Sequence, residues 1–464
     1  MNRILAKDTI QMEGKEVQLF GWVHNRRDMG KIIFIDFRDR SGLLQLVFVP
    51  SELSEEAYQN AKDLRSEFVI SVKGNVVARS AKAVNSNLPT GKIEVLVKDL
   101  EILNSAKTPP FELDKDTRAI SEDVRLKYRY LDLRSERMRN NLELRHNVIK
   151  FFRDYLSNDG FWEVETPILT KGTPEGAREF LVPSRLHKGE FYVLPQSPQQ
   201  FKQLLMVAGV EKYFQVARCF RDEDQRGDRQ PEFTQLDLEM SFAEREDVMR
   251  VIEDMIIKMV ETVSPEKKIQ EIPFPVLSYE EAIKKYKSDK PDLRKDKNDP
   301  NLLAFCWVVD FPFFEKTDND KWTFTHNPFS APKPDFMADF MAEKNVGKIL
   351  TTQYDVALNG YEVGGGSIRN HNPEALRKTF EIMGFKIKEI DEKFGHMIDA
   401  LSFGAPPHGG IALGLDRLLM ILANEGSIRE VIAVPKTGEA EDLMMGAPSE
   451  LPAKQLKEAH IKSV

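Results

Sequence analysis

One short stretch concentrates charge: Arg221, Asp222, Glu223, Asp224, Arg226, Asp228, Arg229 and Glu232. Arginines offer planar forks that fit phosphate oxygens, and carboxylates suit amines or a bound cation. The residues that follow alternate cleanly. Phe233, Gln235, Asp237, Glu239 and Ser241 share one face of a strand; Thr234, Leu236, Leu238, Met240 and Phe242 share the other. The second face reads as core. The first is a polar strip on a rigid sheet, costly to bury unless something polar binds there. A solvated hairpin tip with self-paired charges has the same composition.

A second set of chemical groups lies downstream. Asn359-Gly360 between two apolar runs is a strong hairpin signal. A two-residue turn sets Ala357 opposite Glu362, and Asp355 shares the parity of Ala357. Asp355 and Glu362 become diagonal neighbours, roughly 7–8 Å apart by backbone. Two carboxylates at that distance repel unless a divalent cation or an amine lies between them, and Mg²⁺ with phosphate oxygens fits. Gly364-Gly365-Gly366 clears side chains where a ligand or another backbone must approach. Arg369 follows, and Lys202 stands one turn into a helix opened by Gln196-Ser-Pro-Gln. A helix start favours anions, so these two cations matter if they point to one place.

The elements that must carry these groups can be read along the chain. With 464 residues, 41% hydrophobic and 30% charged, two or three soluble domains are expected. The net charge of −8 excludes a generic nucleic-acid sponge. Cys219 and Cys306 fit no paired metal motif and no disulfide framework, as expected of a cytoplasmic protein. No apolar run reaches about 18 residues and the start lacks a signal-peptide core, so no membrane segment is expected.

Candidate strands Glu16–His24, Lys31–Arg38, Leu43–Val49, Glu67–Ala78 and Lys92–Leu103, with a helix over Ser54–Arg65, predict a five-stranded barrel of OB type. Asn25–Gly30 reads as a turn. Ile33, Ile35 and Phe37 form an inward row, which leaves Phe34 on the polar face beside Asp36 and Arg38, near Arg26, Arg27 and Lys31. That is a base-stacking platform, and Gln45 and Glu94 alternate outward where they can hydrogen-bond splayed bases. Ser105–Asp123, with Pro109-Pro110 and mixed charges, reads as a linker. Met138–Leu156 has helical periodicity. Gly160–Leu169 alternates up to Pro167, as an edge strand does. Leu415, Leu418, Leu419 and Leu422 have core spacing on a helix, with Arg417 off that stripe.

The string FRDEDQRGDRQPEFTQLDLE resembles motif 2 of the class II aminoacyl-tRNA synthetases in their aspartyl-type form. Three more stretches agree with it: GWVHNRRDMGKIIFIDFRDRSGLLQLVF with the family's anticodon-binding barrel, Gly160–Leu169 with motif 1, and GAPPHGGIALGLDRLLMIL with motif 3. The resemblance implies an α+β protein. An OB-fold anticodon-binding domain would span 1–104, a hinge 105–135, and a class II catalytic domain 136–464, its antiparallel sheet flanked by helices. Motifs 1, 2 and 3 would fall at about 160–169, 213–242 and 404–422. It implies ATP-dependent attachment of L-aspartate to tRNA through an aspartyl-adenylate, by a homodimer held through motif 1.

Site roles follow from the same resemblance. Arg221 would bind the α-phosphate and the substrate carboxylate. Phe233 would stack on adenine, with Glu223 near its amino group. Arg229 and Arg417 would hold the outer phosphates, and Asp355 and Glu362 would carry Mg²⁺. Glu175, Ser197, Gln199, Gln235, Asp237 and His326 would surround the amino acid. Lys202 and Arg369 would meet its side-chain carboxylate, a physical preference for aspartate over asparagine or lysine. Phe34 would stack on, and Gln45 read, the middle anticodon base, with Arg27 and Glu94 at its neighbours.

Two departures accompany it. The domain that bacterial relatives insert after Ser288–Arg294 is absent near 295–302. Asn327 stands where many relatives have a second histidine. With Met29 in the turn facing the anticodon loop, it leaves open whether tRNA-Asp alone or also tRNA-Asn is charged, with a lean to the second. The rival readings are an asparaginyl- or lysyl-type synthetase, a tRNA-binding paralogue without catalysis, and an amide-forming paralogue. The last would lack the barrel.

Overall fold

The computed structural model describes residues 3–172 and 176–462. Its contacts divide it into two compact units, Met1–Asn140 and Asn141–Val464.

The first unit is a closed five-stranded barrel of Glu16–Met29, Ile32–Asp39, Gly42–Phe48, Val69–Ala78 and Ile93–Asn104. A helix, Glu55–Asp63, lies between the third and fourth strands in sequence, capped by the Ser54 side chain. The inward row is as the alternation predicts: Ile33, Ile35 and Phe37 are buried with Leu44, Leu46 and Val95. Two expectations fail locally. Asn25–Met29 continues the first strand, because a register shift between Val23 and Asn25 lets the strand bend and keep pairing. Arg38 is not on the polar face; it is buried, with two hydrogen bonds to the equally buried Glu67 at 2.9 and 2.6 Å. Residues 105–140 belong to this unit. They fold around buried Asp132, which accepts from Thr117 Oγ1 and Arg129, both at 2.7 Å.

The second unit is built on an eight-stranded sheet. In spatial order its strands are Val276–Ser278, Phe305–Val309, Gln353–Leu358, Tyr361–Ile368, His408–Gly414, Glu232–Ser241, Lys212–Phe220 and Trp162–Glu163. The inner pairs are antiparallel, while both end strands pair in parallel, so the sheet is mixed. Motif 1 contributes only Trp162–Glu163 as strand, and Ile168 and Leu169 beyond it are exposed.

Helices cover one face. Arg245–Val263 buries Val248, Ile252, Met255, Ile256 and Met259, at helical spacing, against Leu236, Leu238 and Met240 of the sheet. The helix Leu415–Leu422 adds its four leucines to the same core. Each such side chain contributes about 1.5–3 kcal/mol by leaving water. The alternation in Glu232–Ser241 thus holds through Met240. Phe242 breaks it: its φ of 57° turns the chain out of the sheet, and the ring is exposed.

Candidate active site

The sheet face opposite those helices carries the polar strip. Gln235, Asp237 and Glu239 stand opposite Gly414, Ala412 and Gly410 of the next strand. The small partners leave room for the acids. A Cβ on Gly410 would lie 2.1 Å from Glu239 Oε2, and one on Gly365 2.9 Å from Asp355 Oδ1. A cavity of about 430 Å³ opens over this strip. Ser197, Gln199, Lys202, Arg221, Glu223, Arg229, Phe233, Gln235, Asp237, His326, Glu362, Arg369 and Arg417 all line it. Asp355 lies just behind the lining, and Glu175 falls outside the described residues.

Lys202 and Arg369 do converge, on a carboxylate that the sequence reading placed on the strip without a role. Arg369 grips Glu239 through Nε at 2.8 Å and NH2 at 3.0 Å. Lys202 Nζ is 3.2 Å from Glu239 Oε2 and 2.5 Å from Asp237 Oδ1. All four side chains are buried. The two acids shift in opposite directions. Burial alone raises Glu239, but Arg369 and Lys202 overcome it and hold the carboxyl at about 2. Burial raises Asp237 and Lys202 only partly offsets it. Asp237 Oδ2 and Gln199 Nε2 are buried without hydrogen-bond partners, an acceptor and a donor left for a ligand. The signal for Glu239 was its parity with Asp237.

The hairpin pairs Leu358 with Tyr361 and Ala357 with Glu362, as Asn359-Gly360 predicts. The diagonal placement of Asp355 and Glu362 needs correcting. A register shift between Val356 and Ala357 leaves Val363 as an extra residue, so Asp355 faces Gly365. The two acids still interact. Burial first, then the Glu362 charge, pushes Asp355 well above the usual carboxylate range. Asp355 Oδ1 accepts from Gln353 Nε2 at 2.6 Å, and His326 Nε2 lies 3.6 Å from Oδ2. A carboxyl strained by burial and by a second acid fits a cation, with Glu362 on the open side.

The charged loop is partly self-paired. Arg229 meets Glu223 at 3.3 Å, and Arg417 meets Asp228 at 3.3 Å and donates to Glu362 O at 3.0 Å. Arg221 differs: its guanidinium lies 5.1 Å over the Phe233 ring, and its buried Nε has no partner. An aromatic ring beside an unsatisfied arginine suits a nucleotide, base on ring and phosphate on cation. Arg145 braces this end, donating to Asp416 at 2.5 Å and to Thr234 Oγ1 at 3.1 Å.

In the barrel unit, Arg27 donates to Asp36 at 2.8 Å and to Gln45 at 3.2 Å, and Gln45 Nε2 donates to Glu94 at 2.7 Å. Three of the four residues selected for anticodon contact thus form one polar chain on the barrel wall. Phe34 pairs with Arg27 across the strands and is half-buried.

Comparison with known proteins agrees with both units. The family model "tRNA synthetases class II (D, K and N)" matches residues 121–438, and "OB-fold nucleic acid binding domain" matches 17–103. An "Aspartate--tRNA(Asp/Asn) ligase" of Dehalococcoides mccartyi is 41% identical over 97% of each chain. That alignment runs over 583 positions against 464 residues here, so the relative carries residues this chain lacks. An "Aspartate--tRNA ligase" of Macrococcus caseolyticus is 40% identical over 97% of this chain and 96% of its own. The asparaginyl-tRNA synthetase of Pyrococcus horikoshii complexed with asparaginyl-adenylate shares the fold at a TM-score of 0.75 and 24% identity, covering 94% of this chain and 98% of its own. Among the described residues no helix is long and apolar enough to cross a membrane. The chain belongs to the class II tRNA synthetases of the D, K and N group.

Proposed function

We propose that this synthetase attaches L-aspartate to tRNA in two steps. An α-carboxylate oxygen of aspartate attacks the α-phosphorus of ATP in line, forming aspartyl-adenylate and releasing pyrophosphate. The terminal ribose hydroxyl of tRNA then attacks the aspartyl carbonyl, and AMP leaves. No covalent protein nucleophile is required, so the protein's contribution is positioning and charge neutralisation.

The observation that carries aspartate is the charge balance around Glu239. Lys202 and Arg369 bring two buried cations to the strip, where Arg369 and Lys202 hold Glu239 ionised and Asp237, raised by burial, also pairs with Lys202. With aspartate bound, its ammonium meets the acids and its side-chain carboxylate meets Lys202 and Arg369, a balance that an amide or an amine does not supply. The substrate ammonium would then meet Asp237 Oδ2, and Gln199 would donate to the other end. Ser197, Gln235 and His326 complete the walls.

Arg221 takes the α-phosphate and Phe233 the adenine, with Glu223 at its amino group. Arg229 and Arg417 take the outer phosphates once they exchange their present carboxylate partners for them. Asp355 and Glu362 would hold Mg²⁺. When bound, the ion supplies charge neutralisation on the phosphate oxygens.

Phe34 would stack on an anticodon base, and Arg27, Gln45 and Glu94 would exchange their mutual hydrogen bonds for base edges. Exposed Trp162, Ile168 and Leu169 at the sheet edge suit a homodimer interface through motif 1. Charging of tRNA-Asn as well as tRNA-Asp rests on Asn327, which lines the cavity, and on Met29, exposed on the barrel.

The test is aminoacylation with radiolabelled aspartate on purified tRNA-Asp and tRNA-Asn. Charging of both supports the relaxed form, and charging of tRNA-Asp alone removes the meaning given to Asn327 and Met29. Failure to exchange pyrophosphate with aspartate would overturn the amino-acid assignment.

A further inference from the structure

Behind the cavity, a line of buried polar side chains connects its two ends, its longest link between Ser330 and Gln353. Arg369 NH1 donates to Ser367 Oγ at 2.9 Å. The Ser367 and Ser330 hydroxyls meet at 2.8 Å, and Ser330 Oγ lies 3.5 Å from Gln353 Oε1. Gln353 Nε2 then donates to Asp355 Oδ1 at 2.6 Å. All five side chains are at most 5% exposed. Arg369 can only donate and a carboxylate can only accept, so the ends set the polarity. The Gln353 amide must turn its NH2 to Asp355 and its oxygen to Ser330. Either hydroxyl can donate between the serines; the arrangement in which Ser367 gives its proton to Ser330, and Ser330 to Gln353, is the one where every link donates toward Asp355. Such chains polarise cooperatively in a low dielectric.

We propose that Gln353, Ser330 and Ser367 are positioning residues that couple the amino-acid end of the site to the nucleotide end. The proposal rests on the assignment of Arg369 to the aspartate carboxylate and of Asp355 to the metal. An anion arriving at Arg369 draws the guanidinium toward itself and weakens its donation to Ser367. Each later link weakens in turn, and Asp355 keeps more negative charge for a cation. Aspartate and Mg-ATP therefore strengthen each other's binding, by the same factor in either order. Ser330 and Ser367 do not line the cavity, so they can be changed without touching a ligand.

The experiment is calorimetric titration of aspartate into the full chain, alone and with saturating Mg²⁺ and a non-hydrolysable ATP analogue. The ratio of the two affinities is the coupling factor. In Ser330→Ala that factor should fall at least fivefold, of the order of ordinary site-to-site coupling. Affinity for aspartate alone should stay within about twofold, since no ligand contact is lost. Ser330→Thr, which keeps the hydroxyl, should retain the parent factor. An unchanged factor in Ser330→Ala overturns the proposal. So does a parallel fall of both affinities with a lowered Tm, which would mark a merely structural role. A parent that binds nucleotide but no aspartate would instead overturn the functional assignment beneath it.

Discussion

Arg369 holds Glu239 by two near-parallel hydrogen bonds, Nε to Oε1 at 2.8 Å and NH2 to Oε2 at 3.0 Å, with both residues buried. Lys202 shares the same carboxylate. Removing the Glu239 charge would leave Arg369 without its buried counter-ion and Lys202 with Asp237 alone, a loss of about 3–5 kcal/mol by analogy with other broken buried pairs. Glu239→Gln, nearly the same shape, should therefore shift the urea midpoint sharply downward. A loss below about 1 kcal/mol, typical of an exposed pair, would mean that the cluster is solvated.

Gly410 is the backbone counterpart of that cluster. An added Cβ would sit 2.1 Å from Glu239 Oε2 and 2.1 Å from Leu238 O, so neither side chain nor strand can yield cheaply. Gly410→Ala should displace Glu239 and, with it, Lys202 and Arg369. Aspartate-dependent pyrophosphate exchange is expected to fall about 100-fold, the scale of a 1 Å misplacement. Exchange within a few-fold of the parent would show that the strip tolerates movement.

Much of this site was legible because strand parity is a strict rule: a period of two puts Gln235, Asp237 and Glu239 on one face and Leu236 and Leu238 in the core. The Asn359-Gly360 turn likewise fixed the pairing of Ala357 with Glu362. Parity stops informing where the backbone departs from regular geometry. The extra residue at Val363 moved Asp355 opposite Gly365, and the positive φ of Phe242 turned its ring outward. Long-range ion pairing was also out of reach. Arg38 has the alternation of a wall residue, yet it is buried because Glu67, distant in sequence, meets it.

Asp355 gives a prediction in pH and metal. Its carboxyl is raised in the folded protein by burial and by Glu362, so the native state binds that proton more tightly than the unfolded chain. The stability this contributes is present below the unfolded value of about 3.9 and is lost as pH rises through the folded value. Above that window the ionised carboxylate destabilises the metal-free protein, and Mg²⁺ should restore stability. Asp355→Asn can still accept from Gln353 but carries no charge. It should flatten the pH dependence of the metal-free Tm, abolish the Mg²⁺-dependent increase and lose pyrophosphate exchange. An equal Mg²⁺ response in parent and variant would remove Asp355 from the metal site.

A substitution at Phe34 tests whether the two units divide the work. The half-buried ring stands across the strands from Arg27, whose own guanidinium joins Asp36 and Gln45 on the barrel wall. Base stacking on such a ring contributes about 1–3 kcal/mol. Phe34→Ala should therefore raise the KM for tRNA roughly 5- to 150-fold, the same free energy expressed as a ratio. None of the cavity residues in the catalytic unit changes, so aspartate-dependent pyrophosphate exchange should stay near the parent rate. Parallel measurement of exchange and charging decides the matter. An equal loss in both would refute the division of labour between barrel and catalytic sheet, and unchanged charging would leave Phe34 as an ordinary surface aromatic.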